Sequence, residues 1–416
     1  MALTPPGYLP RLIDTIIEQH LKSFGAVSIE GPKWCGKTWA ARNQCKSEFQ
    51  LTSNNLALLK IDVRYAFEGE TPRLIDEWQD HPTLWEDVRF EVDRSPEKGR
   101  FVLCGSSTID PKKKKHTGAG RIGSIPMYTM SLYETGDSDG KVSLKELFDN
   151  PAISTDTEEI TLDRLIDLVH RGGWPGLLDG NADPTLVLRD YINKLCEEDS
   201  FRIDGKTRDP HKFRMLLRSL ARNESTVVSD AALRRDIVES DNEDLGDSTV
   251  DDYKSVLERL NILWYQPAFS TNLRSSARVG KTSKKHLADP SLAMCLLGLD
   301  RQGAINDLNT FGFLFESLCE HDLQVYCKCN GYELFHYRDG YGNEFDAVVE
   351  RPDKSWGAIE IKLGFNQVEE AAAKMIKLAE KFSRPPAFLC VICGTAPVAY
   401  RRPDGVYVVP ITRLGP

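Results

Sequence analysis

The glycine-rich segment from Gly31 to Thr38 constrains the fold of this chain more than any other sequence feature. It matches the spacing Gly-x-x-x-x-Gly-Lys-Thr in full, and it lies between a short apolar run, Ala26 to Glu30, and the start of a helical pattern. In this context the glycines let backbone N–H groups curl around phosphate oxygens, and the helix N-terminus adds partial positive charge. The segment therefore predicts a phosphate-binding loop in an α/β domain.

The residue types in the loop have predicted tasks. Lys37 supplies a point charge to the β- and γ-phosphates of ATP, and the hydroxyl of Thr38 is a ligand for Mg²⁺. The other residues predicted to bind the nucleotide are Gly31, Pro32, Lys33, Trp34, Cys35, Gly36 and Trp39. The loop thus predicts ATP and Mg²⁺ as cofactors.

Short apolar runs alternate with helical patterns in the first third of the chain, which is typical of a parallel sheet. The predicted strands cover residues 26–30, 57–62, 72–77 and 100–105. The third ends in Asp76 and Glu77, at the sheet edge where ligands bind. Asp76 is predicted to hold Mg²⁺ and Glu77 to orient the attacking water. Ser106 and Ser107, after the fourth run, are candidate contacts for the γ-phosphate or the water.

A basic stretch follows the fourth run. The lysines at 112–115 are typical of a solvated loop. Arg121 comes directly after Gly118 and Gly120, so it could reach the γ-phosphate of a neighbouring subunit as an arginine finger. A surface ion pair is the alternative for Arg121.

The middle of the chain, residues 185–285, has mostly helical patterns. Ser248 is the predicted N-cap of a helix that reaches Leu260, and a strand and a basic segment at 272–286 follow it, in the order of a winged helix. The basic segment can neutralise DNA phosphates without reading sequence. Acidic residues on the preceding helix make internal packing an equal alternative.

The last third returns to an α/β pattern and contains a second group of candidate catalytic and metal-binding residues. Glu360 and Lys362 lie two residues apart on a predicted strand and so share a face, with Asp346 on the preceding strand. Two carboxylates can hold Mg²⁺, and the lysine can stabilise a water that attacks a phosphodiester. Glu316 can complete the metal site, and Glu344 can line the cleft. A scaffold that no longer cuts is the alternative.

Composition limits the partners and the compartment. The formal net charge of -9 excludes a globally basic nucleic-acid binder. No run approaches the roughly 18 apolar residues of a membrane span, and the N-terminus lacks the pattern of a signal peptide, so a cytoplasmic protein without a membrane partner is expected. The pairs Cys327–Cys329 and Cys390–Cys393 are predicted on strands, as buried thiols rather than zinc ligands.

Motifs in both halves of the chain resemble those of one family. They are Gly-Pro-x-x-x-Gly-Lys-Thr, Leu-Ile-Asp-Glu-Trp-Gln, Leu-Cys-Gly-Ser-Ser and Gly-Arg-Ile, then His-Leu-Ala-Asp-Pro-Ser-Leu-Ala, Phe-Glu, Asn-Glu-Phe-Asp and Ile-Glu-Ile-Lys. Together they resemble a prokaryotic AAA-type ATPase family whose C-terminal domain, of unassigned function, looks like the PD-(D/E)xK nuclease fold. The resemblance covers nearly the whole chain. It implies a homo-oligomeric ring, such as a hexamer, with ATP at subunit interfaces, and it gives Arg121 a role in trans.

Three domains are therefore predicted. Residues 1–180 form an AAA-type ATPase domain with a parallel sheet, residues 181–290 a helical, winged-helix-like domain, and residues 291–416 a restriction-endonuclease-like α/β domain. The predicted function is ATP hydrolysis coupled to remodelling or processing of DNA. The alternative is a nucleotide-dependent signalling or defence switch whose C-terminal domain binds a protein partner and does not cut nucleic acid.

Overall fold

The computed structural model describes residues 2–107, 116–158, 160–241, 247–272 and 282–416. Within these ranges, no helix is long and apolar enough to cross a membrane. The lysines at 112–115 and most of the predicted basic wing lie outside the described residues.

A five-stranded sheet with only parallel pairs forms the first third of the chain. Its strands are β1 (Ala26–Glu30), β2 (Ser47–Gln50), β3 (Arg73–Asp76), β4 (Phe101–Gly105) and β5 (Ile122–Pro126), in the order β2-β3-β4-β1-β5. The helices of this region are α1 (Ile13–Ser23), α2 (Lys37–Gln44), α3 (Ser53–Ile61) and α4 (Leu84–Asp93). The predicted α/β class with a parallel sheet is confirmed.

One predicted strand of this region is wrong. Residues 57–62 belong to the end of α3 and the residue after it, and the second strand of the sheet is β2 instead. The side chain of Thr52 caps α3 by accepting a hydrogen bond from the backbone N–H of Asn55. The run looked apolar enough for a buried strand, but Leu58 and Ile61 are exposed and only Leu59 is buried.

The middle of the chain is helical. Its elements are α5 (Leu132–Thr135), β6 (Val142–Ser143), α6 (Leu144–Leu147), α7 (Leu162–Arg171), α8 (Pro184–Lys194), a π-helical turn (Leu195–Asp199), α9 (Ser200–Arg202), α10 (Pro210–Arg222), α11 (Asp230–Asp241) and α12 (Asp247–Arg259). An antiparallel hairpin of β7 (Leu263–Gln266) and β8 (Lys284–Leu287) follows. Ser248 is the second residue of α12, so its predicted N-cap position is wrong.

A six-stranded mixed sheet forms the last third. Its elements and the helices around it are α13 (Pro290–Leu297), α14 (Arg301–Asn306), α15 (Leu308–Asn330), β9 (Glu333–Arg338), β10 (Glu344–Glu350), β11 (Trp356–Lys362), α16 (Val368–Ala379), β12 (Phe388–Cys393), β13 (Tyr400–Arg401), β14 (Tyr407–Pro410) and β15 (Leu414–Gly415). The order is β13-β14-β12-β11-β10-β9, and β10 is antiparallel to both β9 and β11.

The predicted strand at Cys327 and Cys329 is wrong, because both cysteines belong to α15. This helix ends at Gly331, whose left-handed backbone caps it, so the apolar residues before the glycine continue a helix. Cys327, Cys390 and Cys393 are buried free thiols, and Cys329 is partly buried. The described residues contain no group of three or more His, Cys, Asp or Glu side chains that could hold a metal ion.

The largest hydrophobic cluster joins the helical middle to the C-terminal sheet. It extends from Leu132 to Leu414 and includes residues of α7, α10, α13 and α15. The short strands β6 and β15 also pair, with Val142 opposite Leu414. The chain segment that follows the parallel sheet is thereby packed against both later regions.

Candidate active site

The phosphate loop follows β1 and is shaped by two glycines. A Cβ at Gly31 would lie 2.2 Å from the backbone oxygen of Met127, so a side chain has no room there. Gly36 has φ +101°, a left-handed conformation that favours glycine, and α2 begins at the next residue. The loop therefore sits between a strand and a helix N-terminus, as a phosphate site requires.

Lys37 and Thr38 occupy the first turn of α2. The Nζ atom of Lys37 donates hydrogen bonds to the backbone oxygens of Gly31, at 2.9 Å, and of Pro32, at 2.7 Å. The Oγ1 atom of Thr38 lies 3.2 and 3.3 Å from the two carboxylate oxygens of Asp76. The sequence-predicted cation ligands Thr38 and Asp76 are thus brought together.

The carboxylates of Asp76 and Glu77 come from the end of β3. Because β4 lies between β1 and β3, the ends of these three parallel strands form one continuous edge. Asp76 is buried, and burial raises its pKa to about 6, with the neighbouring Glu77 as a second cause. A divalent cation favours the ionised form of such a carboxyl group. Asp76 and Thr38 therefore fit a Mg²⁺ site.

Gln79 links the predicted catalytic residues, and sequence reasoning gave it no role. Its Nε2 atom donates to Glu77 Oε2 at 2.5 Å and to Ser106 Oγ at 3.4 Å. Glu77 has a left-handed backbone, with φ +57°, which turns the chain sharply after β3. The Oε1 atom of Gln79 is buried and has no hydrogen-bond partner among the described residues. The Leu-Ile-Asp-Glu-Trp-Gln motif contains this glutamine and was the available signal.

Other contacts attach the phosphate loop to distant parts of the chain. Lys33 forms an ion pair at 2.5 Å with Asp199 of the π-helical turn. The ring of Trp34 stacks on that of Trp174, with centroids 5.8 Å apart. These partners lie beyond the predicted loop, and no local sequence pattern identifies them.

Arg11 and Trp39, which both lie near the phosphate loop, differ in exposure. Buried Arg11 donates from Nη1 to the backbone oxygen of Cys35, at 2.9 Å, and from Nε to Glu134, at 2.8 Å, which anchors the loop from below. Trp39, which was predicted to bind the nucleotide, is 44% exposed on α2.

Arg121 lies at the opposite edge of the sheet from the phosphate loop. It immediately precedes β5, whose first residue, Ile122, is opposite Ala26 at the start of β1. The five residues of β1 therefore separate it from the loop, a distance of about 16 Å. Arg121 Nε pairs with Asp93 of the same chain at 2.8 Å, and the arginine is half-exposed. It cannot reach a nucleotide bound to its own loop.

The C-terminal residues Asp346, Glu360 and Lys362 are brought together by β10 and β11. The Nζ atom of Lys362 lies 2.8 Å from Glu360 Oε1 and 3.7 Å from Asp346 Oδ2. Asp346 also accepts a hydrogen bond from the backbone N–H of Ile361 at 2.7 Å. Burial, together with Asp346, raises the pKa of Glu360 to about 8. Glu344 is not part of this group, since it is exposed near Arg338.

Lys284 belongs to this group of residues, although the sequence pattern placed it on the basic segment. It was predicted to lie on a DNA-contacting wing, but it is only 6% exposed. Its Nζ atom lies 2.7 Å from both Glu316 and Glu320, and 3.2 Å from the backbone oxygen of Asp346. The ammonium group of Lys284 thus forms an ion pair with Glu316, the third predicted metal ligand of this region. The side chains as they stand do not fit a metal site. We call Asp346, Glu360, Lys362, Glu316, Glu320 and Lys284 the C-terminal carboxylate cluster.

The neighbouring basic residues of the predicted wing are also buried. Lys285 donates to the backbone oxygen of Val228 at 2.6 Å, and His286 contacts Glu224 and Gln266. Burial lowers the pKa of His286 well below its usual value. For these residues the structure agrees with internal packing, the alternative to phosphate contact.

Three family descriptions match separate parts of the chain. Residues 23–136 match "AAA domain", residues 162–303 match "Domain of unknown function (DUF8612)", and residues 311–414 match "Domain of unknown function (DUF4143)". An uncharacterized protein of Mycobacterium tuberculosis and one of Mycobacterium bovis are each 24% identical over 354 residues, which is 83% of this chain and 72% of each relative.

Three solved structures that align with much of this chain are those of ATP- or DNA-related proteins. A Walker-type ATPase of Pyrococcus abyssi is 12% identical and covers 71% of this chain and 97% of its own, with a TM-score of 0.44. Replication initiator DnaA, bound to AMPPCP and single-stranded DNA, is 12% identical, with 61% and 92% covered and a TM-score of 0.30. The ORC1 protein of Aeropyrum pernix, in complex with DNA, is 13% identical, with 75% and 96% covered and a TM-score of 0.27. The family match over residues 23–136, the parallel sheet and the phosphate loop together make this region an AAA-type P-loop domain.

Proposed function

We propose that this chain binds and hydrolyses ATP with Mg²⁺ at the phosphate loop. The observation that carries the proposal is the convergence of three strand ends, which places Thr38 against Asp76 and joins Glu77 to Ser106 through Gln79. A cation-binding pair and a water-orienting group beside a phosphate loop are the parts that ATP hydrolysis requires.

Each residue of the site has a separate role in this proposal. Lys37 would exchange its two backbone acceptors in the loop for phosphate oxygens, which carry more charge. Thr38 and Asp76 would hold Mg²⁺, which neutralises charge on the phosphates when bound. Glu77 would hold the attacking water, and Gln79 and Ser106 would fix the position of Glu77 and of that water.

Two variants test the assignment. We expect Lys37→Ala to remove nucleotide binding, and Glu77→Gln to retain binding while turnover falls by about 100-fold or more. Ile61→Ala at the exposed end of α3 is the control and should change neither. Normal hydrolysis by both Lys37→Ala and Glu77→Gln would contradict the proposed site.

We infer that Arg121 acts in trans, at the nucleotide of the next subunit in a homo-oligomeric ring such as a hexamer. Its place at the far edge of the sheet is compatible with this role and excludes a role in its own subunit. Turnover per subunit should then rise with protein concentration, and Arg121→Ala should abolish that rise. Turnover independent of concentration, with a monomeric mass in solution, would remove the trans role.

We further propose that the C-terminal half acts on DNA through a nuclease-like fold that binds without cutting. The positions of Asp346, Glu360 and Lys362 on adjacent strands support the nuclease-like motif. The placement of Lys284 beside Glu316 argues against a working metal site. DNA should therefore stimulate ATP hydrolysis and remain intact with Mg²⁺ or Mn²⁺. Cleavage that Asp346→Ala abolishes would contradict this reading.

A nucleotide-dependent switch that binds a protein partner is the second candidate. The contacts of Lys33 with Asp199 and of Trp34 with Trp174 favour it, because nucleotide binding at the loop can change contacts with the helical middle. Slow turnover that DNA leaves unchanged would support this candidate over the first. Proteolytic protection of residues 174–199 that depends on nucleotide would measure the switch itself.

A further inference from the structure

A concave groove of about 810 Å³ lies in the helical middle of the chain, and we call it the arginine groove. It is formed by α8, α10, α11 and the C-terminal end of α13. None of its lining residues belongs to the phosphate loop or to the C-terminal carboxylate cluster.

One face of α10 supplies most of the basic side chains. Arg214, Arg218 and Arg222 follow each other at four-residue intervals and all line the groove. Such a spacing places side chains on the same face, with an advance of about 6 Å along the helix for each arginine. Arg189 of α8 lines the same groove.

Three of these arginines have no carboxylate partner among the residues that the structure describes. The acidic side chain of the lining, Asp236, pairs with Arg222 at 3.0 Å and also accepts from Ser219. Arg214 donates to the neutral amide oxygen of Asn193 at 2.7 Å. Within the described parts of the chain, Arg189 and Arg218 have neither a hydrogen bond nor an ion pair. The described lining of the groove therefore carries more positive than negative charge, in a protein whose formal net charge is -9.

Apolar side chains of the lining form the floor of the groove. Ile192, Met215, Ile237 and Leu296 are all buried in the core beneath it. Arg189 and Arg218, by contrast, are exposed. A ligand would therefore meet guanidinium groups first and be recognised by its negative charge.

We propose that the arginine groove binds the phosphate backbone of a single-stranded nucleic acid. A regular row of arginines matches a polymer with regularly spaced anions, and the planar guanidinium binds phosphate oxygens in pairs. A cleft of this volume has the size of a drug-sized ligand, which suits a few nucleotides of one strand better than the much wider duplex. The inference deepens the proposed action on DNA and rests on that part of the proposed function.

The test is binding of a fluorescent oligodeoxythymidine to the full chain, measured by anisotropy from low to moderate salt. We expect Arg189→Ala with Arg218→Ala to weaken binding about tenfold or more and to reduce the slope of log K against log salt by about 1.4, or about 0.7 per lost contact. The control, Arg64→Ala with Arg94→Ala, removes the same charge from two exposed arginines outside the groove and should leave binding and slope unchanged. Because Arg189 and Arg218 have no hydrogen-bond or ion-pair partners in the described parts of the chain, the thermal unfolding of their variant should match the wild type.

Several results would overturn the proposal. These are unchanged binding in the groove variant, an equal loss in the control, tighter binding of a duplex of the same length, and displacement of the oligonucleotide by poly-glutamate as effectively as by unlabelled oligonucleotide. The last result would assign the groove to acidic protein segments. The Lys37→Ala variant separates this proposal from the ATPase, because it should lose hydrolysis and keep groove-dependent binding.

Discussion

The two carboxylate sites of this chain are built from similar residues and differ in what faces them. At the end of β3, Asp76 faces the hydroxyl of Thr38, and Glu77 faces the amide of Gln79. On β10 and β11, Asp346 and Glu360 face the ammonium group of Lys362. The first pair forms hydrogen bonds with neutral groups, and a cation of the chain itself lies beside the second.

The first pair would need an added cation to compensate its charge, whereas the second pair already has a lysine ammonium group beside it. Burying carboxylates is costly unless an opposite charge compensates them. At the phosphate loop, compensation is left to a metal that accompanies the nucleotide. In the C-terminal carboxylate cluster, Lys362 and Lys284 provide part of it, so catalysis that depends on a metal there would first have to displace Lys284.

The largest expected effect comes from removing this internal cation. Lys284→Ala leaves Glu316 and Glu320 buried without their partner, so we expect the free energy of unfolding to fall by about 3–5 kcal/mol, as for other broken buried ion pairs. Urea denaturation measures this change. The control is Lys374→Ala, whose partner Glu370 is exposed, and it should change stability little. Equal effects of the two variants would show that Lys284 does not compensate buried charge.

A triple variant sharpens the same comparison. Adding Glu316→Gln and Glu320→Gln to Lys284→Ala removes the charges together, and buried ion pairs replaced as a unit are often close to neutral. We expect it to recover most of the stability that Lys284→Ala loses. If the triple variant is less stable than Lys284→Ala, the loss lies in packing rather than in charge.

Sequence patterns predicted the motifs that consist of consecutive residues and missed the ion pairs between residues far apart in the chain. The phosphate loop, the Asp76–Glu77 pair and the strands β10 and β11 each depend on a few consecutive residues. Lys284 pairs with a residue 36 positions away, and Lys33 with one 166 positions away. A basic segment looks the same in sequence whether its lysines face solvent or buried carboxylates, and only tertiary packing decides between them.

The pH dependence of stability is the next largest effect. Folding raises the pKa of Glu360 to about 8, above its usual value near 4.5. The unfolded chain therefore loses its proton at lower pH than the folded chain, and stability falls as pH rises from about 5 to about 8. Each unit of pKa difference corresponds to about 1.4 kcal/mol. Unfolding curves of wild type and Glu360→Gln across this range isolate the contribution, and parallel curves would contradict it.

The rate of ATP hydrolysis should depend on pH through the carboxyl group of Asp76. Burial raises the pKa of Asp76 to about 6, and the carboxylate is the form that can hold Mg²⁺. At low Mg²⁺, ATP hydrolysis should fall about tenfold for each pH unit below 6, and higher Mg²⁺ should move this fall to lower pH, because the cation stabilises the carboxylate. An acid limb that does not move with Mg²⁺ would mean that Asp76 does not bind the metal.

The smallest expected effect concerns Gln79, the neutral residue that holds Glu77 where the C-terminal carboxylate cluster uses a lysine. A hydrogen bond to a charged group contributes about 1.5–3 kcal/mol, so Gln79→Ala should lower kcat about tenfold or more. The KM for ATP should stay constant, because the described hydrogen bonds of the Gln79 side chain go to Glu77 and Ser106 and not to the loop that holds the nucleotide. Gln19→Ala on exposed α1 is the control. A rise in KM with kcat unchanged would mean that Gln79 supports the loop itself, and the contrast between a neutral and a cationic partner would then not explain how the two sites differ.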